Sequence, residues 1–242
     1  MIYKQTYNTL WHDTDAKREL TPTALLAYMQ ETANRQFYSA GRTLDAIRDE
    51  AGVGFILSRL CFEQSAPIYA YEDITVETFT CKAHGLSFPR GFRVLRDGRE
   101  VARAMSLWAL LRVADRTLVR ADEGEALMVF GDEAELAMSQ PLRVSIPRGA
   151  AFVTVGERHI GYADCDYNMH MNNTKYPNMV CDFLPDPHTA RVTGMTLSYL
   201  REAALGATLR VERAAGERGT YYFRTYNGDT LCLEAPVQTE HI

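Results

Sequence analysis

The 242-residue sequence lacks the features that mark several classes of protein. It contains no apolar run of membrane-spanning length, and residues 1–7 have no apolar signal core. Its five cysteines form no compact framework, so we expect reduced thiols and a cytoplasmic location. The formal net charge of −5 gives no general attraction to nucleic acid or anionic membranes. The hydrophobic content of 46% and the charged content of 24% are ordinary for a soluble globular protein.

Familiar metal and catalytic motifs are also missing. No Cys-x-x-Cys or His-x-x-x-His spacing is present, which argues against zinc. A loop that begins at Asp164 starts like a calcium loop, but Met169 replaces its turn glycine and Lys175 replaces its bidentate glutamate. The nearest approach to a Gly-x-Ser-x-Gly elbow, residues 85–89, ends in proline instead of glycine. We therefore expect no metal, no cofactor and no serine nucleophile.

The most informative segment runs from residue 164 to 176. It places Asp166, Asn168 and His170 at alternate positions, and in an extended segment such positions point to one side. A carboxylate, an amide and an imidazole that converge are suited to acid–base chemistry. A purely structural histidine is the alternative at this point. The asparagine pair that follows, Asn172 and Asn173, is typical of a helix cap.

The chain repeats one order of elements twice. Each half has a strand, an acidic loop, a helix and an antiparallel meander, and residues 164–166 stand 151 positions after residues 13–15. The pattern predicts an α+β protein made of two similar units, a dimer made covalent. We expect an N-terminal domain over residues 1–120, a crossover linker with one short helix over 121–150, and a C-terminal domain over 151–242.

Local signals support this division. Thr21-Pro22 is typical of a helix start, and apolar residues then recur at helical spacing at Leu25, Leu26, Met29, Ala33 and Phe37. Turn dipeptides at Asp97-Gly98 and Asn227-Gly228 predict two hairpins, with strands near residues 88–96, 99–113, 220–226 and 229–237.

Several segments together resemble a known family. They are residues 166–176, the strand 101–108, the following segment 115–120, and Tyr199-Leu200-Arg201-Glu202-Ala203. These resemble, in order and spacing, the acyl-acyl carrier protein thioesterases, which are tandem hotdog proteins of plant plastids and bacteria. The resemblance covers nearly the whole chain. No plastid transit peptide is apparent, so the bacterial branch fits better.

The resemblance implies two tandem hotdog domains, each a curved antiparallel sheet wrapped around a long helix. It also implies hydrolysis of fatty acyl-acyl carrier protein, which releases free fatty acid in fatty acid biosynthesis. The catalytic residues that it implies are Asp166, Asn168, His170 and Glu202. A cysteine that follows the glutamate in the family is Ala203 here, so water becomes the expected nucleophile. Which group is the base stays open among Glu202, Asp166 and His170.

The first copy departs from the second. At the positions equivalent to Asn168 and His170 it has Lys17 and Glu19, so we expect one active site per chain. We expect the first copy to hold the acyl chain instead, in a pocket walled by the N-terminal helix, Phe55 and Leu57. Hydrolysis of acyl-coenzyme A, a hotdog dehydratase and a non-catalytic acyl-binding protein remain alternatives. A homodimer is compatible with the pattern, and the oligomeric state stays open.

One segment is rich in arginine: Arg90, Arg93, Arg96, Arg99, Arg103, Arg112, Arg116 and Arg120. A basic face there would attract the acidic acyl carrier protein, the expected partner. The alternative is that surface strands simply carry scattered arginines.

Overall fold

The computed structural model describes residues 2–124, 134–139 and 141–242. These residues form eleven strands, which are β1 (Tyr3–Asn8), β2 (Val53–Gln64), β3 (Asp73–Thr80), β4 (Phe88–Arg96), β5 (Arg99–Arg112), β6 (Leu118–Val119), β7 (Val153–His159), β8 (Ala190–Tyr199), β9 (Thr208–Ala215), β10 (Thr220–Asn227) and β11 (Thr230–His241). They also form four α-helices, α1 (Pro22–Ser39), α2 (Leu44–Ala51), α3 (Ala121–Gly124) and α4 (Tyr176–Asp182). Single 3₁₀ turns lie at Trp11–Asp13, Tyr162–Asp164 and Asn173–Lys175.

One antiparallel sheet runs through both halves of the chain. Its strand order is β1-β3-β4-β5-β2-β8-β11-β10-β9-β7, and β6 pairs with β5. The halves join where β2 pairs with β8, with Arg59 opposite Ser198 and Glu63 opposite Gly194. The predicted α+β class and the two antiparallel meanders are thereby confirmed.

The N-terminal helix begins and packs as its sequence predicts. The Thr21 hydroxyl accepts a hydrogen bond from the Ala24 N–H at 3.1 Å, and Pro22 occupies the first turn. The apolar residues at helical spacing are buried against the sheet: Leu25, Leu26, Met29, Ala33 and Phe37. This stripe is the main apolar face that α1 contributes to the core.

The segment after α1 forms an element that the sequence interpretation missed. The chain turns at Gly41, whose φ is 74°, and a new helix, α2, starts where the Thr43 hydroxyl caps the Ala46 N–H at 3.0 Å. This second helix ends at Gly52, with φ 63°, and buries Ile47. Leu44, Ile47 and Ala51 stand at helical spacing, but the turn at Gly41 that separates α2 from α1 was not identified, so the sequence interpretation predicted one longer helix through this region.

The C-terminal half has a much shorter α-helix than the N-terminal half. A 3₁₀ turn at Asn173–Lys175 leads into the seven residues of α4, which end at Asp182. Pro185 follows closely and disfavours helical backbone in the residue before it. The helical segment thus begins and ends close to where the cap and the prolines predict, and its α-helical part is shorter than α1.

The core is continuous across the join between the halves. Its larger cluster contains fully buried residues from strands of both halves, among them Phe62, Ile74, Val94, Met195 and Phe223. A second cluster lies in the N-terminal half between α1, α2 and the sheet, and contains Phe37, Ile47, Val53, Phe88 and Leu110. None of the helices in the described part of the chain is both long and apolar enough to cross a membrane.

The expected linker crosses the sheet from one half to the other. It begins with α3, which is the short helix expected in this segment. Farther on, the Ala134 N–H donates to the Thr80 carbonyl at 3.2 Å, and the Thr196 hydroxyl donates to the Pro141 carbonyl at 3.1 Å. The parts of the predicted linker at residues 125–133 and 140 lie outside the described residues.

A glycine in β4 gives a direct test of this packing. A Cβ at Gly91 would lie 2.4 Å from the ring of its register partner Phe79, which is fully buried. We expect Gly91→Ala to lower the free energy of unfolding by about 1–3 kcal/mol, because the ring has no room to move. Urea-induced unfolding measures the change.

Gly54→Ala is the matched control, because Gly54 lies in β2 and its Cβ would meet no atom within 4 Å. That variant should be neutral or slightly stabilised, since alanine lowers the entropy of the unfolded chain. Equal destabilisation of the two variants would contradict the assigned register of β3 and β4.

Candidate active site

The acidic loop of the second half is a tight hairpin. The Asp166 N–H donates to the His170 carbonyl at 2.9 Å, and the Asn172 N–H donates to the Asp164 carbonyl at 2.8 Å. Met169 adopts the left-handed region, with φ 62°, which allows the chain to reverse. The assumption of an extended segment was therefore wrong. Asp166 and His170 are brought together by the turn and not by strand alternation.

Two aspartates hold this hairpin in shape. The Asp166 Oδ1 accepts the Asn168 backbone N–H at 2.8 Å, an Asx turn. The Asp164 carboxylate accepts from Arg158 at 2.7 Å and from the Gly161 N–H at 3.0 Å. Both carboxylates thus make local hydrogen bonds that fix the loop backbone on which Asn168 and His170 stand.

Glu202 reaches the hairpin through a short backbone pairing. The Met171 N–H donates to the Ala203 carbonyl at 2.8 Å, and the Leu205 N–H donates to the Met169 carbonyl at 3.0 Å. This pairing sets the Glu202 Oε2 3.4 Å from the His170 Nδ1. All four residues predicted from the sequence line one cleft, of about 350 Å³.

An arginine from the N-terminal half completes the charged group. Arg116 places its Nη2 3.6 Å from the Glu202 Oε2, and their side chains are 72% and 51% exposed. At this exposure the ion pair contributes little to stability, so its effect is on the orientation of Glu202. The sequence interpretation named Arg116 only as a member of the expected basic face, although it lies in segment 115–120, one of those that carry the family resemblance.

The cleft walls come from both halves. Phe55, Ile56 and Leu57 of β2 contribute one side, and Tyr176 and Tyr199 of the C-terminal half contribute another. The Tyr199 hydroxyl donates to the Asn173 carbonyl at 3.0 Å, and its ring packs edge-on against Tyr176 at 5.4 Å. Burial raises the pKa of both phenols, so they stay neutral.

The predicted helix cap lies at the edge of the same cleft. The Asn172 Oδ1 accepts from the Thr174 N–H at 2.9 Å and from its hydroxyl at 2.8 Å. This is the capping function expected for one of the two asparagines. Asn173 lines the cleft.

The first half contains a loop with the same backbone. The Asp15 N–H donates to the Glu19 carbonyl at 2.8 Å, and the Asp15 Oδ1 accepts the Lys17 N–H at 2.8 Å. Arg18 has a φ of 65°, close to the 62° of Met169. The two loops thus share their turn and their Asx bond at an offset of 151 residues, but they carry different side chains.

Ion pairs occupy the cleft beside the first loop. Arg191 donates to the Glu19 carboxylate through two nitrogens, with its Nε 2.9 Å from the Glu19 Oε2. The Lys17 ammonium pairs with Asp15 at 2.7 Å and donates to the Pro187 carbonyl at 3.0 Å. The cleft has a volume of about 320 Å³. Since its charged side chains satisfy one another, they are not available to activate water.

The arginine-rich segment does not form a continuous basic face. Six of its members pair with carboxylates: Arg93, Arg96, Arg103, Arg112, Arg116 and Arg120. Arg90 is buried, with 5% of its surface exposed. The alternative of scattered surface arginines therefore describes this segment better than a docking face.

Comparisons with known proteins agree with this arrangement. The acyl-ACP thioesterase N-terminal domain family matches residues 1–125, and the acyl-ACP thioesterase C-terminal domain family matches residues 153–232. No curated protein sequence matches the chain.

Solved structures of similar fold extend over the whole chain. An acyl-ACP thioesterase from Bacteroides thetaiotaomicron is 21% identical with a TM-score of 0.88, and covers 99% of this chain and 98% of its own. The 12:0-ACP thioesterase from Umbellularia californica is 20% identical with a TM-score of 0.84, and covers 100% and 98%. The fold is thus the predicted tandem hotdog fold. With both family matches in chain order, the chain belongs to the acyl-ACP thioesterase family and is a thioester hydrolase.

Proposed function

We propose that this protein hydrolyses the thioester of fatty acyl-acyl carrier protein and releases free fatty acid for fatty acid biosynthesis. The observation that carries the proposal is the pairing of His170 with Glu202, at 3.4 Å, in a cleft lined by both halves. Asp166, Asn168, His170 and Glu202 form the catalytic group. A cytoplasmic location, in keeping with five free cysteines, is part of the proposal.

The residues have separate tasks in this mechanism. His170, oriented by Glu202, takes a proton from water, whose oxygen attacks the thioester carbonyl. Asn168 is exposed beside it, and its amide donates to the carbonyl oxygen as negative charge develops there. The C–S bond then breaks, and the proton passes to the departing thiolate. Asp166 acts through the loop, because its Oδ1 already accepts the Asn168 N–H.

The two halves divide the work. We assign residues 1–120 to an N-terminal domain that holds the acyl chain, 121–150 to the linker and 151–242 to the catalytic domain. Support for the first assignment comes from an apolar pocket between α1 and the sheet, lined by Ala33, Phe37 and Phe55 among others. Leu26 and Met29, also expected in the pocket wall, instead pack in the larger core cluster.

A thiol-release assay tests the proposal. The same acyl chain is offered on acyl carrier protein and on coenzyme A, over a series of chain lengths. Faster release from the carrier supports the proposal. Faster release from coenzyme A favours the alternative acyl-coenzyme A thioesterase, and no release from either favours an acyl-binding protein.

Removal of the imidazole should abolish most hydrolysis. General acid–base groups typically contribute ~10²–10⁴-fold in rate, so kcat for His170→Ala should fall by about that factor. His159→Ala is the matched control, because His159 is an exposed residue of β7 that contacts Thr208 at 3.3 Å. Turnover near the wild-type rate in a folded His170→Ala protein would remove His170 from the mechanism.

No thiol should be needed for turnover. Alanine stands at position 203, and burial raises the pKa of Cys61 and of Cys181 to about 12 and raises those of Cys165 and Cys232. Below these raised values these four thiols are protonated and weakly nucleophilic, so their alkylation at neutral pH should be slow and should rise with pH. Turnover after treatment with iodoacetamide measures the effect.

A variant with all five cysteines replaced by serine or alanine should keep its turnover if it folds. Loss of activity in Cys165→Ala or Cys181→Ala, with the melting temperature unchanged, would restore a thiol mechanism.

A further inference from the structure

Two separate cavities lie side by side in the N-terminal half. The larger is a cleft of about 340 Å³, and its wall includes His170 and Glu202 of the catalytic group. The smaller is an apolar pocket of about 40 Å³ between α1 and the sheet. Within the described residues, three side chains line both cavities: Leu44, Phe55 and Trp108. These three side chains therefore form a partition between the cleft and the small pocket.

Trp108 contributes the largest side chain of the partition. In the register of the sheet it lies between Leu57 of β2 and Phe88 of β4. Its indole lines the small pocket together with Ala33 and Phe37 of α1, so it fills space between the helix and the sheet. The side chain is half-buried, because its other face lines the cleft.

A hydrogen bond fixes the indole in place. The Trp108 Nε1–H donates to the Ser106 hydroxyl at 2.8 Å, and that hydroxyl donates to the Arg90 carbonyl at 3.3 Å. Ser106 is fully buried. If the indole turned away, a buried hydroxyl would lose its donor and the indole N–H would need another acceptor, which costs free energy. The indole is therefore a fixed wall of both cavities.

Aromatic neighbours hold the second ring of the partition. The Phe55 ring lies 6.1 Å from the Phe37 ring and meets the Phe88 ring edge-on at 6.0 Å, centre to centre. Both neighbours are buried, and such ring pairs stabilise one another beyond the area that they bury. Leu44 is 38% exposed, so Phe55 and Trp108 form the inner part of the partition.

The partition limits how far an apolar chain can extend. The cleft wall includes the apolar side chains Ile47, Val53 and Leu111. Each methylene group buried against such a wall improves binding about fourfold. A chain whose thioester lies at His170 gains this stabilisation for each added carbon until its methyl end meets the partition. A longer chain would have to displace packed rings, and overpacking a well-filled region is destabilising.

We propose that Phe55 and Trp108 set the upper limit of acyl-chain length, and that the chain enters the small pocket behind them only when the partition is cut away. This inference rests on the proposed thioesterase function and specifies which residues select the substrate of that site. Phe55 and Trp108 act as specificity-determining residues, because they contact the methyl end of the chain and not the thioester.

The test uses the full-length protein and saturated acyl-carrier thioesters that increase by two carbons. In Trp108→Leu, kcat/KM for the first chain longer than the wild-type optimum should rise about tenfold relative to the optimum. This ratio does not depend on the folded fraction of the variant. Trp11→Leu is the matched control, because the second tryptophan of the chain is 50% exposed and stacks on Tyr71. An unchanged ratio in active Trp108→Leu overturns the inference and leaves the proposed function standing. Absence of hydrolysis at every length by the wild-type protein overturns both.

Filling the small pocket gives a second readout. Within the described part of the chain, Ala33 lines the small pocket and not the cleft. Ala33→Leu alone should therefore leave the preferred length unchanged, and it should cancel the gain when combined with Trp108→Leu. A preference for shorter chains in Ala33→Leu alone would show that the chain already enters the small pocket, and a gain that persists in the double variant would show that it does not enter on cutting. Either result overturns the inference. If Trp108→Leu does not fold, Phe55→Leu opens the partition from its other side, and the same ratios decide.

Discussion

The pairing of β2 with β8 is the constraint on which the rest of the structure depends. It joins the two meanders antiparallel, so the start of each strand lies beside the acidic loop of the opposite half. Phe55, Ile56 and Leu57 thereby line the cleft that contains His170, and Arg191 lies beside Glu19. Neither cleft is complete within one half. The pairing of β2 with β8 therefore produces two clefts. The side chains on the two loops determine the chemistry of each cleft.

The two loops have the same backbone geometry but carry different functional side chains. In both loops the chain reverses at a residue with a φ near 60°. In both, an aspartate carboxylate accepts a hydrogen bond from the backbone N–H two residues later. The second loop then presents an amide and an imidazole to open space. The first loop presents Lys17, which pairs with Asp15, and Glu19, which pairs with Arg191. Arg191 also pairs with Glu240. The second loop thus leaves its amide and imidazole in an open cleft, and the first loop ties the two halves together.

Much of the fold was predictable because local signals agree with the global arrangement. The turns at Asp97-Gly98 and Asn227-Gly228, the cap at Thr21 and the apolar stripe of α1 each have a short-range physical cause. The element α2 was missed because the turn at Gly41, which separates it from α1, was not recognised in the sequence, although Leu44 and Ile47 stand at helical spacing. The second helix was predictable at both ends, because Asn172 caps its start and Pro185 follows its end.

The site was harder to predict for reasons of tertiary structure. Which residues form the polar loop could be read from the spacing of Asp166, Asn168 and His170, but the hairpin that joins them depends on backbone bonds that spacing does not specify. Glu202 came from family resemblance, and Arg116 was missed because its partner is about 90 residues away. The buried position of Arg90 was also unpredictable, since its neighbours in sequence are surface arginines that pair with carboxylates.

The central claim is that the two loops share a backbone conformation but differ in their side chains, and that only the second loop acts on the thioester. The most direct measurement is thiol release by two exchange variants whose folding is checked by thermal melting. Asn168→Lys with His170→Glu gives the second loop the side chains of the first, and Lys17→Asn gives the first loop the amide of the second. We expect the former to lose about 10²-fold or more in kcat, and the latter to keep the wild-type rate. Retained turnover in the former, or an equal loss in both, would contradict the account.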